Sequence, residues 1–409
     1  MEYQQFTLKN GIRVMFLPAN SPIAHACVVV NAGSRDETPS QYGLAHFIEH
    51  LLFKKTEKRS TNQILNRLEL VGADLNAYTT KEYTCIHASF LKEHLPRTLD
   101  LFEDILFHSV FPDQEIEKER GVILDEIASY IDSPEEAIAD DFEDIIFAEH
   151  PLGHNILGNE ESLGRMRRPD VLHFMHQHYV PEEIVVAITG NYDPKKIHHW
   201  AQKYFGLLPE KPAQKKKQLL FTHEPKRQEQ AKPISQFHSV LGSIAYDLHH
   251  PDKYALMLLN NYLGGMGMSS KLNLQIREKY GIAYTIESSY VPFSDTGLFT
   301  IYYGTDMEKA KKCEKLIQKE LQLLCQQKLG KIQLHQAKRK FMGQIALGEE
   351  NRIGVLIAIA KNILDYGRVN SLEEVLENIE AVSAEQVLRV ANEVLHPERL
   401  TTLSFVPQA

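Results

Sequence analysis

Two stretches of this 409-residue chain, one on each side of a proline-rich break, run through the same order of elements. The break is 207–234, LLPEKPAQKKKQLLFTHEPKRQEQAKPI, where Pro209, Pro212, Pro225 and Pro233 stand among many charges. Proline and charge disfavour a packed helix or central strand, so this segment reads as a linker between halves 1–206 and 235–409. Before it, helical runs HFIEHLLF and TNQILNRLELVG lead into a strand pair, ADLNAYTTKEYTCIHASF, and a helix, EHLPRTLDLFEDILF. After it, YALMLLNNYLG and SSKLNLQIREKYG lead into IAYTIESSYVPFSDTGLFTIYYG and then MEKAKKCEKLIQKELQLL. Both second helices stop at a glycine, Gly72 and Gly281, as a left-handed helix cap requires. Asn10-Gly11, near the start, reads as a hairpin turn. The repeated order predicts an α+β fold made twice: two homologous domains, each a mostly antiparallel sheet with helices packed on it.

Several classes are excluded by composition. With 43 % hydrophobic and 24 % charged residues, the chain is neither disordered nor fibrous. No stretch approaches the roughly 20 apolar residues that cross a bilayer, so no membrane span is expected. A net charge of −9 disfavours a nucleic-acid binder that depends on phosphate contacts. The charge is concentrated: residues 101–150 carry 16 acidic against 2 basic side chains. This is read either as a solvated face or as a wall that attracts cationic substrates. Cys27, Cys85, Cys313 and Cys325 show neither metal spacing nor a pairing pattern, which suits buried thiols in a reducing compartment. The opening MEYQQFTLKNGIRVMFL lacks a charged segment followed by a long apolar one, so a cytoplasmic location is expected.

The halves differ chemically in their first helix. His46, Glu49 and His50 form H-F-I-E-H, whereas the second half has Ala255, Leu256, Met257, Leu258, Leu259 and Asn260 there. Histidines four apart project from one helical face, which suits two ligands of one tetrahedral zinc. Glu49 lies on the same side, where a carboxylate can take a proton from water and pass it to a leaving amine. The order H-x-x-E-H inverts H-E-x-x-H and is the inverzincin signature. The flanking Leu44, Phe47, Ile48, Leu51, Leu52 and Phe53 predict a largely buried helix, in which ionisable groups need partners.

A catalytic zinc takes a third protein ligand. EIEKERGVILDEIASYI supplies two candidates, Glu119 and Glu126, two turns apart at the edge of a stripe made by Ile116, Ile123, Ile127 and Tyr130. Carboxylates facing a core are costly unless paired or bound to metal, so one suits a ligand and the other its support. Spacing alone does not choose between them. Glu117 and Asp125 fall on other, solvated faces. The remaining histidines, His108, His150, His154, His198, His199, His249 and His250 among them, read as surface or packing residues.

The chain resembles the pitrilysin (insulinase) zinc peptidases, in particular the short branch of bacterial processing peptidases and the catalytic subunit of mitochondrial processing peptidase. The likeness runs through AGSRDE, GLAHFIEHLLFK, ADLNAYTTKEYT, KERGVILDEI and GGMGMSSKLNLQIREKYGIAY, and so spans both halves. It departs at Lys55, where close relatives often carry glycine. The resemblance implies that His46, His50 and Glu126 hold one zinc, with Glu49 as general base and Glu119 as supporting carboxylate. It implies that Asn76 and Ala77 lie on the strand where a peptide is added as a further strand, a mode that tolerates many side chains. It also implies that Arg277 and Tyr284 face the substrate near the scissile bond, where a guanidinium and a phenol can donate to an oxyanion. Gly264, Gly265 and Gly267 match the family's glycine-rich loop.

The function so implied is zinc-dependent endopeptidase action on peptides or unfolded segments, inside a chamber. Full-length relatives close four such domains; a two-domain chain implies a dimer, a homodimer being favoured and a heterodimer open. The other reading is a non-catalytic binding or structural subunit of a heterodimeric peptidase-like complex. The acids of 131–149, near in sequence to Glu126, suggest cationic peptide substrates.

Overall fold

Two sheets carry the fold. The computed structural model describes residues 3–213 and 222–408. Six strands form the first sheet: β1 (Gln4–Thr7), β2 (Arg13–Pro18), β3 (Ile23–Val30), β4 (Asp74–Thr79), β5 (Thr84–Leu91) and β6 (Ile184–Gly190), in the order β1-β2-β6-β3-β5-β4. Only β2 and β6 pair parallel. Successive side chains point to opposite faces. Val14, Phe16, Val28, Val30, Val186 and Ile188 therefore enter one core, under the helices Leu44–Leu52 and Leu95–Phe107. Met15, Leu17, Cys27, Val29, Val185 and Ala187 enter a second core on the other face. With both faces covered, β6 (IVVAITG) is buried throughout and reads as a continuous apolar run.

The second sheet comprises β7 (Arg227–Lys232), β8 (Phe237–Ala245), β9 (Ala283–Pro292), β10 (Gly297–Thr305) and β11 (Thr401–Pro407), in the order β7-β11-β8-β10-β9. Here again one pair, β7 with β11, is parallel and the others antiparallel. In chain order, β2 to β6 and β7 to β11 follow one topology: first beside last, last beside second, second beside fourth, fourth beside third. The fold is thus α+β and duplicated, as the element order predicts. Gly72 and Gly281 take φ of 71° and 61°, the left-handed caps expected of them.

The segment read as a linker, 207–234, differs in part. Residues 214–221 lie outside the described residues. Residues 227–232 form β7, an edge strand whose RQEQAK side chains are mostly exposed. An edge strand pairs through its backbone on one side only, so it does not need an apolar pattern.

The two compact units do not coincide with the two halves. The first unit is Met1–Ala128, His154–Lys217 and Glu349–Ser371; the second is Ser129–Gly153, Gln218–Gly348 and Leu372–Ala409. The helix Arg352–Tyr366 covers the outer face of the first sheet with Leu356, Ala360 and Ile363, all fully buried at helical spacing. The helix Pro134–Ile146 does the same for the second sheet, setting Ile138, Phe142 and Ile146 against Val240, Leu403 and Phe405. Each sheet is therefore closed by a helix taken from the other half of the sequence. Among the described residues no helix is long and apolar enough to cross a membrane.

Candidate active site

The helix Leu44–Leu52 is apolar around most of its circumference: Leu44, Ala45, Phe47, Ile48, Leu51 and Leu52 are all buried. Its start is a built joint. Gly43 has φ 94°, and a Cβ there would stand 2.5 Å from the Leu157 carbonyl oxygen, so only glycine fits. Glu37, from AGSRDE, turns back to accept the Gly43 N–H at 2.8 Å and the Ala45 N–H at 2.6 Å. These are first-turn donors with no partner inside the helix, and a carboxylate there also faces the positive end of the helix dipole. His154 Nε2 lies 2.9 Å from the same carboxylate. Burial pushes the Glu37 carboxyl well up, while the two amides and Lys81 oppose it. His150 and His154 are buried, and His154 thus serves this joint rather than the surface.

The helix Asp113–Ile131 faces this one as a ladder. His46 Nε2 stands 3.8 Å from Glu126 Oε2, and His50 Nε2 stands 3.7 Å from the same oxygen. One rung on, His50 Nδ1 is 3.2 Å from Glu119 Oε2, and Lys54 Nζ is 2.7 Å from Glu119 Oε1. Ascending 46, 50, 54 meets descending 126, 119, so the helices are antiparallel here. Arg120, next to Glu119, pins the second helix by donating to the carbonyls of Leu163 and Met166, each at 2.9 Å. Glu117 and Asp125 are exposed, as expected. Tertiary register thereby separates the two candidates that spacing left open: Glu126 faces both histidines, and Glu119 lies behind His50.

His46, His50 and Glu126 bring one ligand atom each to within 4.8 Å of one another, the one such group of three or more among the described residues. Around a tetrahedral zinc, with bonds of about 2.0–2.1 Å, neighbouring ligand atoms lie about 3.4 Å apart. The observed 3.7 and 3.8 Å are near that value and too long for hydrogen bonds. His46 Nδ1 is buried with no hydrogen-bond partner. Burial, and then the neighbouring His50, push the His46 imidazolium down to about 4. It is neutral at neutral pH, the state in which a lone pair is free for a cation. His50 donates Nδ1–H toward Glu119, which leaves its Nε2 lone pair facing Glu126. The donor set, two imidazoles and a carboxylate, fits zinc.

Glu49 shares the helix face. Thr79, at the end of β4, donates its hydroxyl to Glu49 Oε2 at 2.6 Å. Burial pushes the Glu49 carboxyl up, and the Thr79 hydrogen bond and His50 oppose that. An upward push moves a carboxylate toward the pH at which a general base works best. Asn76 and Ala77 sit on β4, an edge of its sheet, whose other side has no partner strand among the described residues. The Asn76 side-chain oxygen accepts the Ala77 N–H at 2.9 Å. A cavity of about 380 Å³ opens beside this edge, lined by Glu49, His50, Phe53, Lys54, Leu65 and Leu75 among others.

Arg277 and Tyr284 belong to the second unit. Arg277 lies in a π-helical turn, Asn273–Glu278. Tyr284 is half exposed in β9 and donates to Asp306 at 2.8 Å, a bond that pushes its phenol up. The acids of 131–149 also fall in the second unit, on the helix Pro134–Ile146 and at its two ends.

Three residues were assigned no role by sequence reasoning. Glu37 and Thr79 stand in AGSRDE and NAYTT, stretches quoted for their likeness only. Lys54 had a readable signal: it continues the i, i+4 row of His46 and His50 by one more step.

The chain is similar to known proteins along most of its length. Residues 14–160 match the family model Insulinase (Peptidase family M16), and residues 165–341 match the peptidase M16 inactive domain. The chain is 32 % identical over 394 residues to YmxG, an uncharacterized zinc protease of Bacillus subtilis (strain 168), covering 96 % of this chain and 95 % of that protein. It is 34 % identical to an uncharacterized zinc protease of Mycobacterium tuberculosis (strain ATCC 25618 / H37Rv), covering 95 % and 90 %. Among solved structures, a peptidase M16 inactive domain from Pseudomonas fluorescens superposes with a TM-score of 0.92 at 21 % identity, covering 100 % of this chain and 98 % of that one. A protease from Helicobacter pylori superposes at 0.91 and 22 %, covering 99 % of each chain.

Proposed function

Because this chain belongs to the insulinase family of peptidases, M16, we propose that it is a zinc-dependent endopeptidase. One observation carries the reading. His46, His50 and Glu126 converge within 4.8 Å, and the Glu49 carboxylate stands on the same helix, held by Thr79 at 2.6 Å. His46, His50 and Glu126 would hold one zinc, which when bound supplies a Lewis acid for the scissile carbonyl and lowers the pKa of water.

The chain's own residues do the rest. The peptide lies along the free edge of β4 at Asn76 and Ala77 and is held by backbone hydrogen bonds. Glu49 accepts the proton of the attacking water and hands it to the leaving nitrogen. Glu119 keeps His50 in the tautomer whose Nε2 is free. Arg277 and Tyr284 donate to the developing oxyanion. In this proposal two chains form a dimer, favoured as a homodimer, whose chamber admits peptides and unfolded segments. Arg277 and Tyr284 of one protomer then serve the site of the other. The acids of 131–149 favour cationic peptides, and the protein acts in the cytoplasm. A non-catalytic role is disfavoured by the intact His46, Glu49, His50 and Glu126 set.

The test is digestion of a pool of unrelated peptides, with and without a chelator. Wild-type cleavage stops with chelator; Glu49→Gln keeps zinc and loses cleavage by at least about 100-fold; Glu126→Gln binds zinc more weakly. Cleavage that survives both substitutions sinks the proposal. A solution mass of one chain removes the dimer.

A further inference from the structure

The ladder has a second rung, behind the candidate metal ligands. Glu119 is buried, and its two oxygens are divided between two partners: Oε2 toward His50 Nδ1 at 3.2 Å, Oε1 toward Lys54 Nζ at 2.7 Å. Lys54 lies just beyond the end of the Leu44–Leu52 helix, four residues after His50, and is itself largely shielded. Its neighbour Lys55 is exposed. A carboxylate bound at one oxygen only can still swing about its side-chain torsions; bound at both, it has one orientation. A hydrogen bond to an ionised partner is worth about 1.5–3 kcal/mol, enough to select that orientation.

We propose that Lys54 is a positioning residue for the metal site: it locks Glu119, which locks the ring of His50, so that Nε2 is presented to the metal before the metal arrives. Lys54 does not touch the metal in this scheme. It acts through a two-step chain, Lys54 to Glu119 to His50. The same ammonium offsets the charge of the buried Glu119 carboxylate. Groups behind a metal ligand commonly cost 10–100-fold in metal affinity when removed, because ring orientation and ligand basicity are both lost.

This inference rests on reading His46, His50 and Glu126 as a zinc site, and the experiment separates the two. Zinc-loaded full-length protein is titrated with a chromogenic chelator at fixed pH, for wild type, Lys54→Met, Lys54→Arg and Lys55→Met. Lys54→Met is expected to release zinc with an affinity 10–100-fold below wild type. Lys55→Met should match wild type, and Lys54→Arg, which keeps a cation at the rung, should recover most of the loss. Wild type that carries no zinc overturns the site and the inference together. Zinc held by wild type and by Lys54→Met equally tightly overturns the role of Lys54 alone. So does a loss that Lys55→Met shares or that Lys54→Arg does not relieve.

Discussion

Acidifying the zinc-free protein should destabilise it in a pH window set by His46. The imidazole is buried beside His50, and its pKa drops from the ordinary 6.5 to about 4. The sign follows from which state binds the proton first. Between 6.5 and 4 the unfolded chain takes up a proton on this residue and the folded chain does not, so stability falls as pH falls. The contribution is complete above 6.5, is lost progressively below it, and is exhausted near 4. A drop of that size is worth about 3 kcal/mol, a large share of the 5–15 kcal/mol that holds a typical domain together. The assay is the urea midpoint of zinc-free protein at a series of pH values from 7.5 to 4, for wild type and His46→Gln, whose amide does not titrate. Other groups titrate in both proteins, so the difference between the two curves isolates His46. The difference should shrink as pH falls through the window. Parallel curves from 6.5 to 4 would refute the claim that burial keeps this ring neutral.

Two further outcomes follow from the packing. Ile363→Ala removes a fully buried side chain from the helix that closes the first sheet, and should cost about 2–5 kcal/mol in the unfolding of that unit, read by urea titration. Glu37→Gln puts an NH₂ group where a carboxylate oxygen now accepts, leaving the N–H of Gly43 or of Ala45 without a partner. The loss should be about 1–3 kcal/mol, with faster hydrogen exchange at the first turn of the Leu44–Leu52 helix; exchange at the wild-type rate would refute the role assigned to Glu37.

What could be read from the sequence was local. His46 and His50 declare themselves because a four-residue spacing fixes their common face whatever else the chain does. The duplicated element order gave both sheets and both glycine caps. The choice between Glu119 and Glu126 was not local: seven residues apart, they share a face, and only the antiparallel register of two helices decides which one meets both histidines. Glu37 was hidden for the same reason, since its carboxylate caps a helix that begins seven residues later. Arg352–Tyr366 is apolar enough to cover any sheet, so its composition did not say which. Strand β7 escaped notice because RQEQAK, at a sheet edge, shows no apolar alternation.

The crossed covering helices give the two halves a mutual dependence. A gene divided between 206 and 235 would encode one polypeptide that keeps Pro134–Ile146 but lacks Arg352–Tyr366, and another with the reverse deficit. Each fragment would present a bare apolar sheet face that its counterpart alone can clothe. Made separately they should aggregate; made together they should reassemble.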